Sequence, residues 1–245
     1  MDYAQIINTM LGIQSPRRCA DRPMSEALLP CVELTTGAAP ELAIVWLHGL
    51  GADGHDFEPI VPELGLPFTA RFVFPHAPVR PITINQRIPM RAWFDILTFE
   101  RGGSEDVAAI RSSARSVTAL IERERANGFE PEQIVLAGFS QGGALALHTG
   151  LRYAERLGGI LVLSAFLVLA GTLERERAAA NVDVPIFMAH GLADPVIEIG
   201  FAEASRDALV ELGYAPDWHT YPMGHAVCGP EIVEISRWLA ARAAR

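Results

Sequence analysis

The sequence predicts an α/β domain, a mostly parallel sheet with helices on both faces. Three observations carry that expectation. Strand-like and helix-like segments alternate along the 245 residues, which implies parallel strands joined by crossover helices. The run Leu42–Leu47, LAIVWL, is apolar without interruption, as a strand covered on both faces requires. The stretch Gly138-Phe139-Ser140-Gln141-Gly142 follows a second apolar run, Ile134 to Ala137, and leads into Ala144-Leu145-Ala146-Leu147, so it marks a sharp turn from strand to helix.

The elements follow in order. After 42–47 comes a shorter strand over 71–74, ended by Pro75. Residues 104–127 read as a helix: Ser104 is a plausible N-cap, Val107, Ile110, Ala114, Val117 and Ile121 recur at three- and four-residue steps, and Asn127-Gly128 stops it. A strand at 134–138, a helix from 141 and strands at 160–163 and 185–189 come next. A helix over 201–212 ends at Gly213, and a strand over 217–221 precedes a last helix over 230–244. There is no repeat and no low-complexity linker. Residues 1–23 are polar and poorly periodic and are expected to be an appendage to a single domain spanning 24–245. Asp2 and the late Arg17-Arg18 pair do not fit a signal peptide.

Composition excludes several classes. With 20 basic and 29 acidic residues the net charge is −9, which argues against nucleic acid or an anionic membrane surface as partner. No apolar run approaches the roughly 18 residues of a membrane span, so stable membrane insertion is not expected. Cys19, Cys31 and Cys228 are an odd number without metal-binding spacing, as expected of unpaired thiols in a reducing, cytoplasmic compartment. No metal signature or dinucleotide fingerprint is present, so neither metal nor cofactor is expected. A homodimer is left open.

The glycine-flanked serine has a chemical use. Gly-x-Ser-x-Gly holds a serine in a strained turn with its hydroxyl exposed at the carboxyl end of the sheet, and the N–H of Gln141 then faces the place where an oxyanion would form. An ordinary glycine-rich turn would explain the pentapeptide alone, so partners are needed. In open parallel sheets they gather at strand carboxyl ends. After the strand at 185–189 comes His190-Gly191-Leu192-Ala193-Asp194, and after 217–221 comes Pro222-Met223-Gly224-His225. Ser140, Asp194, His225 is the chain order of an α/β-hydrolase triad. A histidine, with an ordinary pKa of about 6.5, can take and return the serine proton near neutrality, while a carboxylate fixes its tautomer. Singly, Asp194 reads as a turn residue before Pro195 and His225 as a loop histidine; together they read as acid and base. Of the other histidines, His148, His190 and His219 are expected to be structural, and His55 and His76 show no paired acid. His48 opens the HGLG stretch after the first long strand, where such folds supply a second oxyanion N–H, here that of Leu50; His48 is expected to support that loop.

These stretches resemble the carboxylesterase and acyl-protein thioesterase family of the α/β hydrolases, which also includes lysophospholipases. The similarity rests on WLHGLGADGHDF (46–57), FPHAPVRPITIN (74–85), MRAWFDI (90–96), GFSQGGALAL (138–147), IFMAHGLADPVI (186–197) and YPMGHAVC (221–228), in that order. The resemblance implies Ser140 as nucleophile, Asp194 and His225 as its partners, and Leu50 and Gln141 as oxyanion donors. It implies hydrolysis of small-molecule esters or thioesters with no large cap domain. Arg87 and Pro89 replace the glycine frequent in the loop over 81–97, and Ala165-Phe166 also departs from the family pattern. Both departures bear on substrate preference. That loop carries Ile88 and Met90, is interrupted by Pro81 and Pro89, and is expected to line an acyl groove. The resemblance adds Phe166 and Val196 as its opposite wall.

Overall fold

The computed structural model describes residues 28–98 and 103–244; the appendage expected over 1–23 lies outside them. Seven strands form one sheet in the order β1-β3-β2-β6-β7-β8-β9. They are β1 (Cys31–Thr35), β2 (Leu42–Leu47), β3 (Ala70–Pro75), β6 (Ile134–Phe139), β7 (Gly159–Leu163), β8 (Ile186–Gly191) and β9 (Asp217–Tyr221). Every pair is parallel except the edge pair β1–β3. β2, β6, β7 and β8 are buried almost throughout, which explains their unbroken apolar runs.

The helices are α1 (Ile60–Leu64), α2 (Val107–Ala126), α3 (Gln141–Gly150), α4 (Ala170–Glu176), α5 (Ile199–Glu211) and α6 (Gly229–Ala243). Two apolar cores result, one on each face of the sheet. One joins Val45, Leu136 and Val162 to Val117, Ile121 and Leu145; the other joins Trp46, Phe72 and Leu161 to Ile235 and Leu239. The chain moves from β2 outward to β3 and then returns to place β6 on the other side of β2. The carboxyl ends of β2 and β6 thus flank a topological switch point, where open sheets form their ligand crevice.

Four expectations are corrected. Helix α2 starts at Val107, not near 104, because Asp106 caps it: its Oδ1 accepts the Ala109 N–H at 3.0 Å. The predicted stripe holds at Ile110, Val117 and Ile121, while Val107 is exposed. The Pro-interrupted loop over 81–97 contains a two-stranded antiparallel hairpin, β4 (Val79–Ile82) with β5 (Ile88–Arg91), in which Pro81 faces Pro89. The prolines read as breakers in sequence, but two facing prolines occupy a ladder position that neither strand uses for a bond. Finally, His55 does have an acid: its Nδ1 lies 2.9 Å from Glu58 Oε2, three residues on and at the surface.

Glu231, in the first turn of α6, is wholly buried. Its Oε2 accepts the Cys228 N–H at 3.3 Å, while Oε1 has no partner among the described residues. Burial pushes its carboxyl up to about 7. Among the described residues no helix is long and apolar enough to cross a membrane.

Candidate active site

Ser140 follows β6 directly and has φ 54° and ψ −122°, a conformation that non-glycine residues avoid and that costs about 1–3 kcal/mol. Two constraints hold it there. Its N–H donates to Leu163 C=O on β7 at 2.8 Å. The turn also needs bare glycine at 142, where a Cβ would meet the Leu47 carbonyl oxygen at 2.2 Å and that of His48 at 2.5 Å. That close approach brings the first turn of α3 against the end of β2.

Asp194 and His225 arrive on the loops after β8 and β9. A Cβ at Gly191 would lie 2.3 Å from Gly224 O and 2.5 Å from Met223 O, so only glycine lets the loop after β8 pack on the loop after β9. Backbone bonds from Leu192 N–H to Tyr221 C=O (2.8 Å) and from Ala193 N–H to Met223 C=O (3.0 Å) join these loops. His225 Nδ1 then lies 2.7 Å from Asp194 Oδ2, and its Nε2 lies 2.9 Å from Ser140 Oγ. The other carboxylate oxygen, Oδ1, accepts the N–H groups of Val196 and Ile197 at 2.8 and 2.9 Å. Burial of Asp194 works against ionisation, but the His225 bond and the two backbone donors outweigh it and hold the carboxyl below its ordinary range. An ionised carboxylate only accepts, so Nδ1 must donate and Nε2 is left to accept the Ser140 proton.

Leu50 lies in the turn after β2, next to β6, the strand that leads into Ser140. Gln141 is the first residue of α3, so its N–H has no acceptor within the helix. His48 supports the turn, as expected: Nδ1–H donates to Gly49 C=O at 2.7 Å, Nε2 accepts the Ala77 N–H at 3.1 Å, and burial lowers its pKa and keeps it neutral. Met90 lies beside this turn, its sulfur 3.8 Å from where a Gly51 Cβ would be. Ile88 and Val196 are more than half exposed at 52% each. Phe166 is half-buried and packs on Phe201, with ring centres 5.8 Å apart.

Three contacts escaped the sequence reading. The Phe139 ring lies 4.7 Å from the His225 imidazole, centre to centre, and packs against it; aromatic character next to the serine was the available signal. His190, wholly buried, has Nε2 2.8 Å from Ile197 C=O and 3.4 Å from Asp194 Oδ2, so it packs behind that carboxylate. The Gln141 side chain reaches out of α3 to the Trp93-Phe94 backbone, a contact no local pattern encodes. Among the described residues no group of three or more His, Cys, Asp or Glu is arranged to hold a metal ion.

Residues 31–242 match the family described as Phospholipase/Carboxylesterase. The chain belongs to that family. Acyl-protein thioesterase 1 of Neurospora crassa is 37% identical over 210 residues, covering 81% of this chain and 86% of the relative. Carboxylesterase SOBER1 of Arabidopsis thaliana is 34% identical over 204 residues, covering 81% and 90%. The crystal structure of Arabidopsis SOBER1 superposes with a TM-score of 0.78 at 32% identity, covering 82% of this chain and 98% of that one. The fold is that of an α/β hydrolase, and this phospholipase/carboxylesterase family member is a serine hydrolase.

Proposed function

We propose that the chain is a serine carboxylesterase that hydrolyses short- to medium-chain carboxylic esters through an acyl-enzyme. The observation that carries this reading is the unbroken relay from Ser140 Oγ through His225 to Asp194, with bonds of 2.9 and 2.7 Å. Ser140 Oγ attacks the ester carbonyl carbon as His225 Nε2 takes its proton. The carbonyl oxygen becomes an oxyanion held by the N–H groups of Leu50 and Gln141. His225 returns the proton to the departing alkoxide, and the acyl group stays on Ser140. Water then attacks with the same base and donors, releasing the acid and Ser140. Asp194 stays ionised throughout and offsets the charge of the imidazolium. Met90 beside the oxyanion turn supports an acyl groove along the hairpin, with Ile88, Phe166 and Val196 as its further walls. The free thiols Cys31 and Cys228 favour a reducing, cytoplasmic setting.

Acyl-protein thioesterase activity is the second reading, favoured by the name of the Neurospora relative; lysophospholipase activity uses the same machinery. A catalytically inactive binding module is disfavoured by the intact relay. The test pairs Ser140→Ala with a competition between a short aryl ester and a long-chain acyl thioester. Turnover of both substrates should fall by about a millionfold, with unchanged folding. Retention of a tenth of the wild-type rate by Ser140→Ala would sink the nucleophile assignment, and preference for the thioester would favour the second reading.

A further inference from the structure

We infer that the side-chain amide of Gln141 positions the oxyanion hole by latching it to the base of the β4–β5 hairpin. This inference rests on the serine-hydrolase reading of the site. The oxyanion role proposed for Gln141 uses only its backbone N–H. Its side chain is buried, and both of its polar atoms are bonded. Oε1 accepts the Trp93 N–H at 2.8 Å and Nε2 donates to Phe94 C=O at 2.8 Å. One amide thus imitates a neighbouring strand, with one acceptor and one donor side by side.

The same short segment holds the other half of the hole. Trp93 Nε1–H donates to His48 C=O at 2.9 Å, two residues before Leu50. The Gly51 N–H, one residue after Leu50, donates to Arg91 C=O at 2.9 Å. Leu50 is therefore bracketed by two bonds to residues 91–93, and Gln141 is fixed by two bonds to residues 93 and 94. Trp93 is in turn anchored in the core: it is wholly buried, and Ser113 Oγ donates to its carbonyl. The two N–H donors each lie three residues beyond the last positions at which β2 pairs with β6, Leu47 and Gly138, so the ladder between those strands stops short of both. Residues 91–94 bridge them.

An apolar residue at 141 would leave the buried Trp93 N–H and Phe94 C=O without partners. What the amide adds is a fixed direction for the first turn of α3, and so for the Gln141 N–H. An oxyanion donor acts through its geometry towards the tetrahedral intermediate, and small displacements lose rate more than substrate affinity. Gln141 and Trp93 side chains are accordingly positioning residues.

The test compares the wild type with Gln141→Met, Gln141→Glu, Trp93→Phe and the double variant Gln141→Met/Trp93→Phe, each corrected for active-site content by stoichiometric fluorophosphonate labelling. Methionine matches the length of glutamine but makes neither bond, glutamate can accept but not donate, and phenylalanine keeps the ring without Nε1–H. The readouts are kcat and KM for an aryl ester and the affinity for an aliphatic trifluoromethyl ketone. The serine oxygen adds to that ketone's carbonyl carbon and leaves an oxyanion in the hole. Gln141→Met and Trp93→Phe should each lower kcat roughly 10- to 100-fold with KM changed less than about threefold, and ketone affinity should fall in parallel. Gln141→Glu should not restore wild-type kcat, and the double variant should lose less than the product of the single losses, because both bonds serve one latch. Should kcat and ketone affinity stay within about twofold of wild type while melting temperature falls, the amide is only a structural prop and the inference is overturned. If Gln141→Met does not fold, Trp93→Phe decides alone by the same two readouts. A wild type that fails to label at Ser140 overturns the hydrolase reading itself, an outcome distinct from a labelled wild type with unaffected variants.

Discussion

Asp194 spends its two oxygens differently, and that division predicts the effect of removing its charge. Oδ1 accepts two backbone N–H groups and Oδ2 faces His225. In Asp194→Asn the amide oxygen is claimed by the two backbone donors, so the amide NH2 turns towards His225 Nδ1. A donor facing Nδ1 moves the imidazole proton to Nε2, where it can no longer accept from Ser140. We expect kcat for an aryl ester to fall by about ten-thousandfold with little change in melting temperature. A loss under about tenfold would show that Asp194 does not set the tautomer. The meeting of Ser140, Asp194 and His225 was legible in sequence because each follows the carboxyl end of a predicted strand. The Gln141 amide and the Phe139 ring were not, since their roles depend on partners 47 and 86 positions away that meet only in the folded chain.

The β4–β5 hairpin is the element on which specificity is expected to turn. The prolines that made it look irregular face each other in the ladder, at Pro81 and Pro89, and the ladder carries Met90 beside Gly51. Trp93 and Phe94 are buried and anchor the segment, whereas Ile88 is exposed. That split was half legible: the apolar residues were visible in sequence, but which of them are buried and which stay exposed depends on the sheet they pack against. Each buried methylene contributes about 0.8 kcal/mol. A groove that fully buries three or four more carbons should therefore favour medium over acetyl chains by roughly sixtyfold to two-hundredfold. Ile88→Ser combined with Met90→Ser should lower kcat/KM for hexanoyl or octanoyl esters more than for acetyl esters. Equal losses on both would make the hairpin a prop and remove it from the acyl pocket.

For the whole molecule, the order of strands was largely readable from alternating runs, and the switch point between β2 and β6 puts the serine and the Leu50 turn side by side. The antiparallel edge strand β1 was missed, because CVELT is short and half-exposed and carries no continuous apolar run. Two buried groups oppose one another in how the fold responds to acidity. His148, pushed down to about 4 by burial with Arg152 beside it, favours folding more as pH rises from 4 to 6.5. Glu231 does the reverse: the unfolded chain releases its proton near 4.5 and the folded chain only near 7, so its contribution to folding is complete below 4.5 and is lost as pH climbs to about 7, by on the order of 3 kcal/mol. Glu231→Gln, which cannot ionise, should gain stability over the wild type progressively between pH 5 and 7 in urea unfolding at constant salt, with no gain below pH 4.5. A pH-independent difference would mean the carboxyl titrates normally. Should the gain appear, a single buried proton acts as ballast: α6 is held most firmly in mildly acid solution, and the hold slackens as that proton leaves Glu231.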